Sequence, residues 1–558
     1  MNNFPNQFNN QYTPAPVIQR PPIKPLFERK VSDLIAAAVL ILISVFYVSA
    51  LFWNGLHLGY TLVYNCILIF MSVFVFKKAA KFKFTFLICA LLSAACSCSF
   101  FITDNNAVKA VSFLLLTFTA ILWFSSVAGK EYKKTDLSVF SYPFSVIINS
   151  FSNIPALCKA FFAKGKSKSK NTSRILIGVA CSIPVLFIVV PLLLKSDEAF
   201  SSLLSGFFEN FLTIFAKAFL GTYVAAFLIV LAFSLKYDNR QPEALSVGTR
   251  VNPVTISAFL CMISSVYLIY LFSQLAYFFS AFSSILPAGY KFTYAEYARR
   301  GFFELCIIAV INLAVIYAAI LLSRNEDGKI PLAVRLPSAF MVIFTFVIIF
   351  TALSKMVMYI GAYGFTVLRV LTSAFMIWMF IFFIGILIRL FVKRLDVLAT
   401  GLVFALIIIS VLGLGNMNGR IAEYNYNGYM SGKFKTDVKY FGSLGAEGVP
   451  YLYKLTKSED EKISKTAKYE LYCKYEAYYV LDESNYEAGD PLEDIKSYKE
   501  FSELERVYSG VESYSIPLEK AYEILDKYAK EQNGKVYAEY YYDEDEDESG
   551  ASLEFDDY

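Results

Sequence analysis

Histidine occurs once in the 558 residues, at His57. That excludes a metal centre built from several imidazoles, and an H-E-x-x-H helix, because each needs more than one histidine. A Ser/His/Asp triad would have to recruit His57, which stands in a short loop with no nucleophile motif beside it. Charge is also sparse. Asp, Glu, Lys and Arg make 18% of the chain, against about a quarter in soluble domains. The net charge of +4 carries no nucleic-acid signal. Nine cysteines are present, but Cys96-Ser-Cys98 lacks metal-site spacing and has no second pair. Most of the others, such as Cys66, Cys89, Cys181, Cys261 and Cys306, lie in apolar stretches, where a small polarizable side chain fills helix interfaces. Gly165-Lys166-Ser167 imitates the end of a phosphate-binding loop, but the first glycine of that loop would fall at Ala160. No cofactor, metal ligand or catalytic residue is assigned.

What the chain has in quantity is apolar side chains, 56% of all residues. A helix needs about 20 apolar residues to cross the hydrocarbon core. Stretches that meet or approach this length occur at 33–53, 59–76, 84–102, 108–128, 175–194, 215–235, 254–280, 302–322, 337–360, 366–390 and 397–415. The predicted fold is therefore an all-α polytopic transmembrane helical bundle of about eleven spans, with a mostly α-helical soluble C-terminal tail. Residues 1–30, rich in Asn, Gln and Pro, read as a disordered cytoplasmic leader. Four transmembrane helices fill 31–128. A basic cytoplasmic loop follows at 129–174, in which 139–162 is an interfacial segment interrupted by Pro143, Asn149, Ser150, Asn153 and Pro155. A seven-helix transmembrane core spans 175–415, a helical extracytoplasmic domain 416–540, and an acidic disordered tail 541–558. Within the tail, 462–481 and 516–532 place apolar and Tyr residues at helical spacing. Such tyrosine stripes are expected to pack.

Orientation follows from Lys and Arg in the flanks. One set of flanks, including Lys30, Lys77, the 129–174 loop, Lys236, Arg240, Arg335 and Arg389, outnumbers the alternate set by roughly 26 to 6. The N-terminus is thereby expected in the cytoplasm of a cell membrane, and the tail outside it.

Four unusual stretches fall on the predicted outer side: Ser196 to Phe200, Tyr294 to Glu304, Ser354 to Arg369, and Asn418 to Asn425. On a helix, Glu296, Arg300 and Glu304 share one face and alternate in sign, so neighbours can bridge. Lys355 and Arg369 stand near the outer ends of their spans and need partners too. One reading is a single outer-facing cavity lined by Glu296, Arg300, Glu304, Lys355, Tyr359, Arg369 and Arg420, holding an anionic headgroup or solute. The other is an ion-pair network that orients the helices, with tyrosines as interfacial anchors. The acidic end places Asp543, Asp545, Asp547 and Glu554 at calcium-loop spacing, but Glu548 replaces the required glycine.

These same stretches resemble a bacterial family of multi-spanning membrane proteins defined by a domain of unknown function. The similar motifs are S-A-D-x-x-F (here Lys195 to Phe200, with Lys195 for Ser and Ser196 for Ala), Y-A-E-Y-A-R-x-G-F-x-E-L (Tyr294 to Leu305), and M-x-L-Y-x-x-x-Y-G-L-T-x-x-R (Met356 to Arg369, with Met358 and Phe365 for the two Leu). I-A-x-x-N (Ile421 to Asn425) and D-x-x-Y (Asp437 to Tyr440) complete the set, and the resemblance spans roughly 175–455. It implies a membrane location and a shared core without an assigned activity. The residues favour a transporter or a lipid- or envelope-handling protein. The alternative is an envelope sensor or assembly protein whose tail binds a partner. An intramembrane transferase with Glu296 or Glu304 as general base is permitted but demanded by no motif. Expected partners are membrane lipid and a small-molecule or protein partner, not nucleic acid.

Overall fold

Uncharged apolar runs have one local way to satisfy their backbone in hydrocarbon, which is a helix. A computed structural model describes residues 30–77, 84–130, 138–162, 198–241, 251–282, 302–323, 330–392, 395–434, 437–479, 506–507 and 510–531. The predicted leader up to residue 29, the basic stretch 163–174, the span 175–194, Ser196, Asp197, Glu296, Arg300 and the acidic end 541–558 lie outside these residues.

The membrane helices are α1 (Val31–Phe52), α2 (Leu58–Val75), α3 (Phe84–Ser97) with the short α4 (Ser99–Ile102), and α5 (Asn106–Val127). After α6 (Ser138–Ser152) and α7 (Ile154–Phe162) come α8 (Glu198–Tyr237), α9 (Pro253–Phe282), α10 (Phe302–Leu322), α11 (Leu332–Tyr363), α12 (Val367–Phe391) and α13 (Val397–Leu414). The tail adds α14 (Met417–Met430), α15 (Val438–Ser443), a 3-10 turn at Gly445–Gly448, α16 (Val449–Leu455), α17 (Glu461–Tyr478) and α18 (Ile516–Glu531). No strand occurs among the described residues; an isolated bridge joins Tyr479 and Arg506. Ten helical segments among them are long and apolar enough to cross a membrane. They coincide with ten of the predicted spans, within a few residues at most ends, although Pro253–Phe272 stops short of 280 and Leu332–Tyr363 begins before 337. Their outward faces carry large exposed apolar side chains, such as Leu42, Ile69, Leu114, Met262 and Ile343.

The buried side chains form two cores. One gathers α1 to α6, α8, α13 and the tail helices around Tyr60, Phe100, Leu116 and Leu231. The other joins α9, α10, α11 and α12 around Ile316, Met341, Ile349 and Phe383. They meet along the packed pair α12 and α13, where Leu398 touches both cores and the Trp378 indole donates to the Gly401 carbonyl at 2.9 Å.

The two ends of the bundle differ. At one end, Asp33 of α1 takes Lys236 Nζ at 3.2 Å and the Tyr237 hydroxyl at 2.6 Å. At the same end the Lys77 N–H donates to Val127 O and Val251 N–H to Leu322 O. Among the described members of the majority basic set, Lys30, Lys77, Lys130, Lys236, Arg240, Arg335 and Arg389 belong to helix termini of this end, and Lys159 lies on α7. The tail covers the opposite end: Leu58 N–H donates to Tyr514 O, and Val367 N–H to the Tyr440 hydroxyl.

The stretch 139–162, expected to be interfacial, is more regular than its sequence predicts. Pro143 lies within α6 and Pro155 in the first turn of α7, where a missing N–H costs nothing. The break falls at Asn153 alone, whose amide donates to Ser234 Oγ at 3.1 Å and Asp238 Oδ2 at 2.9 Å. In the tail, Tyr475, Tyr478, Tyr522 and Tyr528 are buried, and Tyr475 stacks on Tyr479 at 4.6 Å. The tyrosines there pack as their spacing predicts.

Candidate functional site

The turn from α11 to α12 anchors the predicted cluster. Gly364 ends α11 with φ 76°, a region other residues rarely enter. A Cβ there would also stand 2.5 Å from Asn425 Oδ1. Asn425, from tail helix α14, brackets the next residue: its Oδ1 accepts from Phe365 N–H and its Nδ2 donates to Phe365 O, both at 2.8 Å. Thr366 caps α12 by accepting from Arg369 N–H.

Lys355, Tyr359 and Tyr363 recur every four residues and so share one face of α11. Arg369 covers that face. Its guanidinium lies 4.0 Å over the Tyr359 ring, while Nη1 donates to Gly364 O at 2.6 Å and Tyr363 O at 3.3 Å. These are carbonyls that a helix end leaves without intrahelical partners, and a cation suits them. Lys355 is half-buried and within electrostatic reach of Glu304, which is exposed in the first turn of α10. Glu304, Lys355, Tyr359 and Arg369 thus form one corner at the tail end of the second core. Arg420 sits on α14, 78% exposed and 3.6 Å from Glu423. No contact among the described residues joins it to Arg369. Glu296 and Arg300 lie outside the described residues.

Sequence reasoning did not find a second polar cluster, between the first core and the tail. Lys109 Nζ lies 3.1 Å from Asp104 Oδ1 and 3.4 Å from His57 Nδ1. Glu447 Oε1 accepts from the Thr103 hydroxyl at 2.9 Å and from Asp104 N–H at 2.7 Å. Asn105 Nδ2 donates to Asn418 Oδ1 at 2.7 Å, and Asn418 Nδ2 to Leu444 O at 3.0 Å. Burial, aided by the Lys109 charge, lowers the His57 pKa to about 4. Burial, then the Asp104 charge, raises that of Glu447 to about 7. Burial lowers that of Lys474 despite the neighbouring carboxylates. The available signal was the polar run Thr103-Asp104-Asn105-Asn106 between two apolar spans, with Lys109 one turn on. Its partner Glu447 is 343 residues from Asp104, beyond the reach of any local pattern.

A third cluster ties the basic end. Asp238 accepts from Arg240 and Asn153, and Lys130 Nζ donates to Arg240 O at 2.7 Å. Burial opposes the Asp238 charge, but these donors hold its pKa below the usual carboxylate value. Burial lowers that of Lys130 to about 8. These groups satisfy one another where helices end, which is a structural task. Among the described residues no group of three or more His, Cys, Asp or Glu could hold a metal ion.

The family model described as Domain of unknown function (DUF4153) matches residues 86–455, from α3 through α16. The match starts nearer the N-terminus than the motif-bearing stretch and runs into the tail. It takes in Asp104, Lys109, Glu304, Lys355, Arg369 and Glu447. No curated protein and no solved structure matches the chain.

Proposed function

We propose, from the premise that the chain belongs to the DUF4153 family, that this multi-pass membrane protein binds and handles an anionic headgroup or solute at the tail end of α10, α11 and α12. The observation that carries this reading is the convergence of Lys355, Arg369, Tyr359 and Glu304 on one corner of a mainly apolar core. Charge kept near membrane depth is costly and tends to mark a ligand path. By helix rise, Lys355 stands about 12 Å below the end of α11, where an ammonium can meet a phosphate or carboxylate arriving along the interface. The two cores share chiefly the α12–α13 seam. That arrangement suits movement of the second core against the first around a bound anion.

Arg369 already secures the turn, so Lys355 is the sharper probe. Full-length protein in phosphatidylcholine nanodiscs doped with phosphatidylglycerol is expected to bind the anionic lipid. Lys355→Ala should weaken that binding by roughly tenfold or more at an unchanged unfolding midpoint. Soluble glycerol phosphate as competitor separates a headgroup site from a solute site. Unchanged binding in Lys355→Ala, or loss only alongside loss of stability, would show that the corner is an ion-pair network.

A further inference from the structure

Two carboxylates from distant parts of the chain face one small space where the tail meets the bundle. Glu447 is 4% exposed. Its Oε1 takes the donors of Thr103 and Asp104, but its Oε2 is sealed from solvent with no hydrogen-bond partner among the described residues. Asp104 commits Oδ1 to Lys109. Gly445 borders the gap: a Cβ there would lie 3.1 Å from Asp104 Oδ2 and 3.6 Å from Glu447 Oε2. Its φ of +70° already demands glycine. The two remaining carboxylate oxygens therefore look onto the same unfilled point.

We propose that this gap is a proton-binding site, in which one proton held between Glu447 Oε2 and Asp104 Oδ2 fastens the tail to the loop between α4 and α5.

A buried oxygen without a donor costs free energy, and two close carboxylates cannot both ionise cheaply. A proton on Oε2 answers both demands, because the new O–H donates to Asp104 Oδ2. Asp104 is the acceptor of that bond, its other oxygen being taken by Lys109 Nζ at 3.1 Å. The groups facing the pair are Lys109 of α5, His57 from the α1–α2 loop, and Lys474 of α17, with Glu470 beside Lys474. His57, lowered to about 4, is neutral throughout the working range. Two lysines beside the pair disfavour a metal cation in the same space.

The sign of the linkage follows. The Glu447 pKa rises from 4.5 free to about 7 in place. Its contribution to docking is full below the free value and is lost as pH rises through about 7. The tail is held tightest below about pH 4.5, loosens progressively between that value and about 7, and changes no further above it.

The test uses the full chain in nanodiscs from about pH 5 to about pH 8.5, bracketing that window. Infrared difference spectra report protonated carboxyl, and hydrogen exchange in 438–455 and 516–531, corrected for intrinsic rate, reports docking. A carboxyl band should titrate out near pH 7, and exchange should rise by up to tenfold per pH unit from about pH 5 up to that midpoint and level off above it. Glu447→Gln supplies a permanent donor, so it should lack the band and keep the tail protected at every pH. Asp104→Asn, should Glu447→Gln misfold, must move the band midpoint to lower pH. The proposal is overturned by an absent band, by unchanged pH dependence in Glu447→Gln, by an unmoved midpoint in Asp104→Asn, or by sodium or calcium closing the tail at high pH.

Discussion

The Asn425 side chain pairs with the backbone of Phe365 on both sides, doing for one residue what a neighbouring strand does for many. Removing it leaves a donor and an acceptor unpaired in a part-buried turn. Asn425→Ala is expected to cost about 1–3 kcal/mol, read as a lower thermal midpoint of the solubilised protein, and Asn425→Asp, which keeps the acceptor but turns a carboxylate oxygen on the Phe365 carbonyl, should cost at least as much. Arg420→Ala is the contrast. Its ion pair with Glu423 is exposed on both sides, so its stability change should stay under about 0.5 kcal/mol. The same comparison separates two of the three arginines named from sequence. Arg369 is built into a turn, and Arg420 is a surface charge. Spacing could not tell them apart, because Arg369's partners are carbonyls of a turn that exists only once α11 ends at Gly364.

At the scale of elements, α6 is the informative helix. It is apolar on both faces. Val139, Tyr142 and Val146 are buried, with rings of α6 against Phe118 of α5 and Phe227 of α8. Phe144 and Ile148 point away, 62% and 66% exposed. A helix ending against Asp238 at the basic end, with apolar residues outward, is expected to face lipid rather than water. Ile148→Lys should therefore lower the stability of the inserted protein by about 2 kcal/mol. An outward face in water would leave the thermal midpoint of the nanodisc-embedded protein unmoved.

For the whole molecule, the decisive fact is that the tail is seated on one end of the bundle and the majority basic set on the other. If that set faces the cytoplasm, the tail is outside, with both the Arg369 corner and the Glu447 gap. A membrane-impermeant maleimide should label Lys457→Cys in intact cells and Cys158 only after permeabilisation. Lys457 is 60% exposed, whereas burial raises the pKa of native Cys473 and slows its reaction. Labelling in the reverse order would turn the protein over and place both sites in the cytoplasm.

The amino-acid sequence alone determined the secondary structure and the class of solvent. Uncharged runs about 20 residues long, such as 397–415, form helices in lipid whatever their neighbours, and 462–481 shows its helical stripe without them. The separation of basic from sparse flanks is also a property of the chain. Tertiary structure decided which helices share a core, since apolar faces such as those of α9 and α12 are interchangeable by composition. It also decided what the charged residues meet. Glu304, Lys355 and Arg369 were legible as candidates because charge is rare beside spans. The Asp104–Glu447 pair was not, because each residue alone looks like an ordinary loop carboxylate. Only docking of the tail removes their water and leaves one oxygen of Glu447 without a donor.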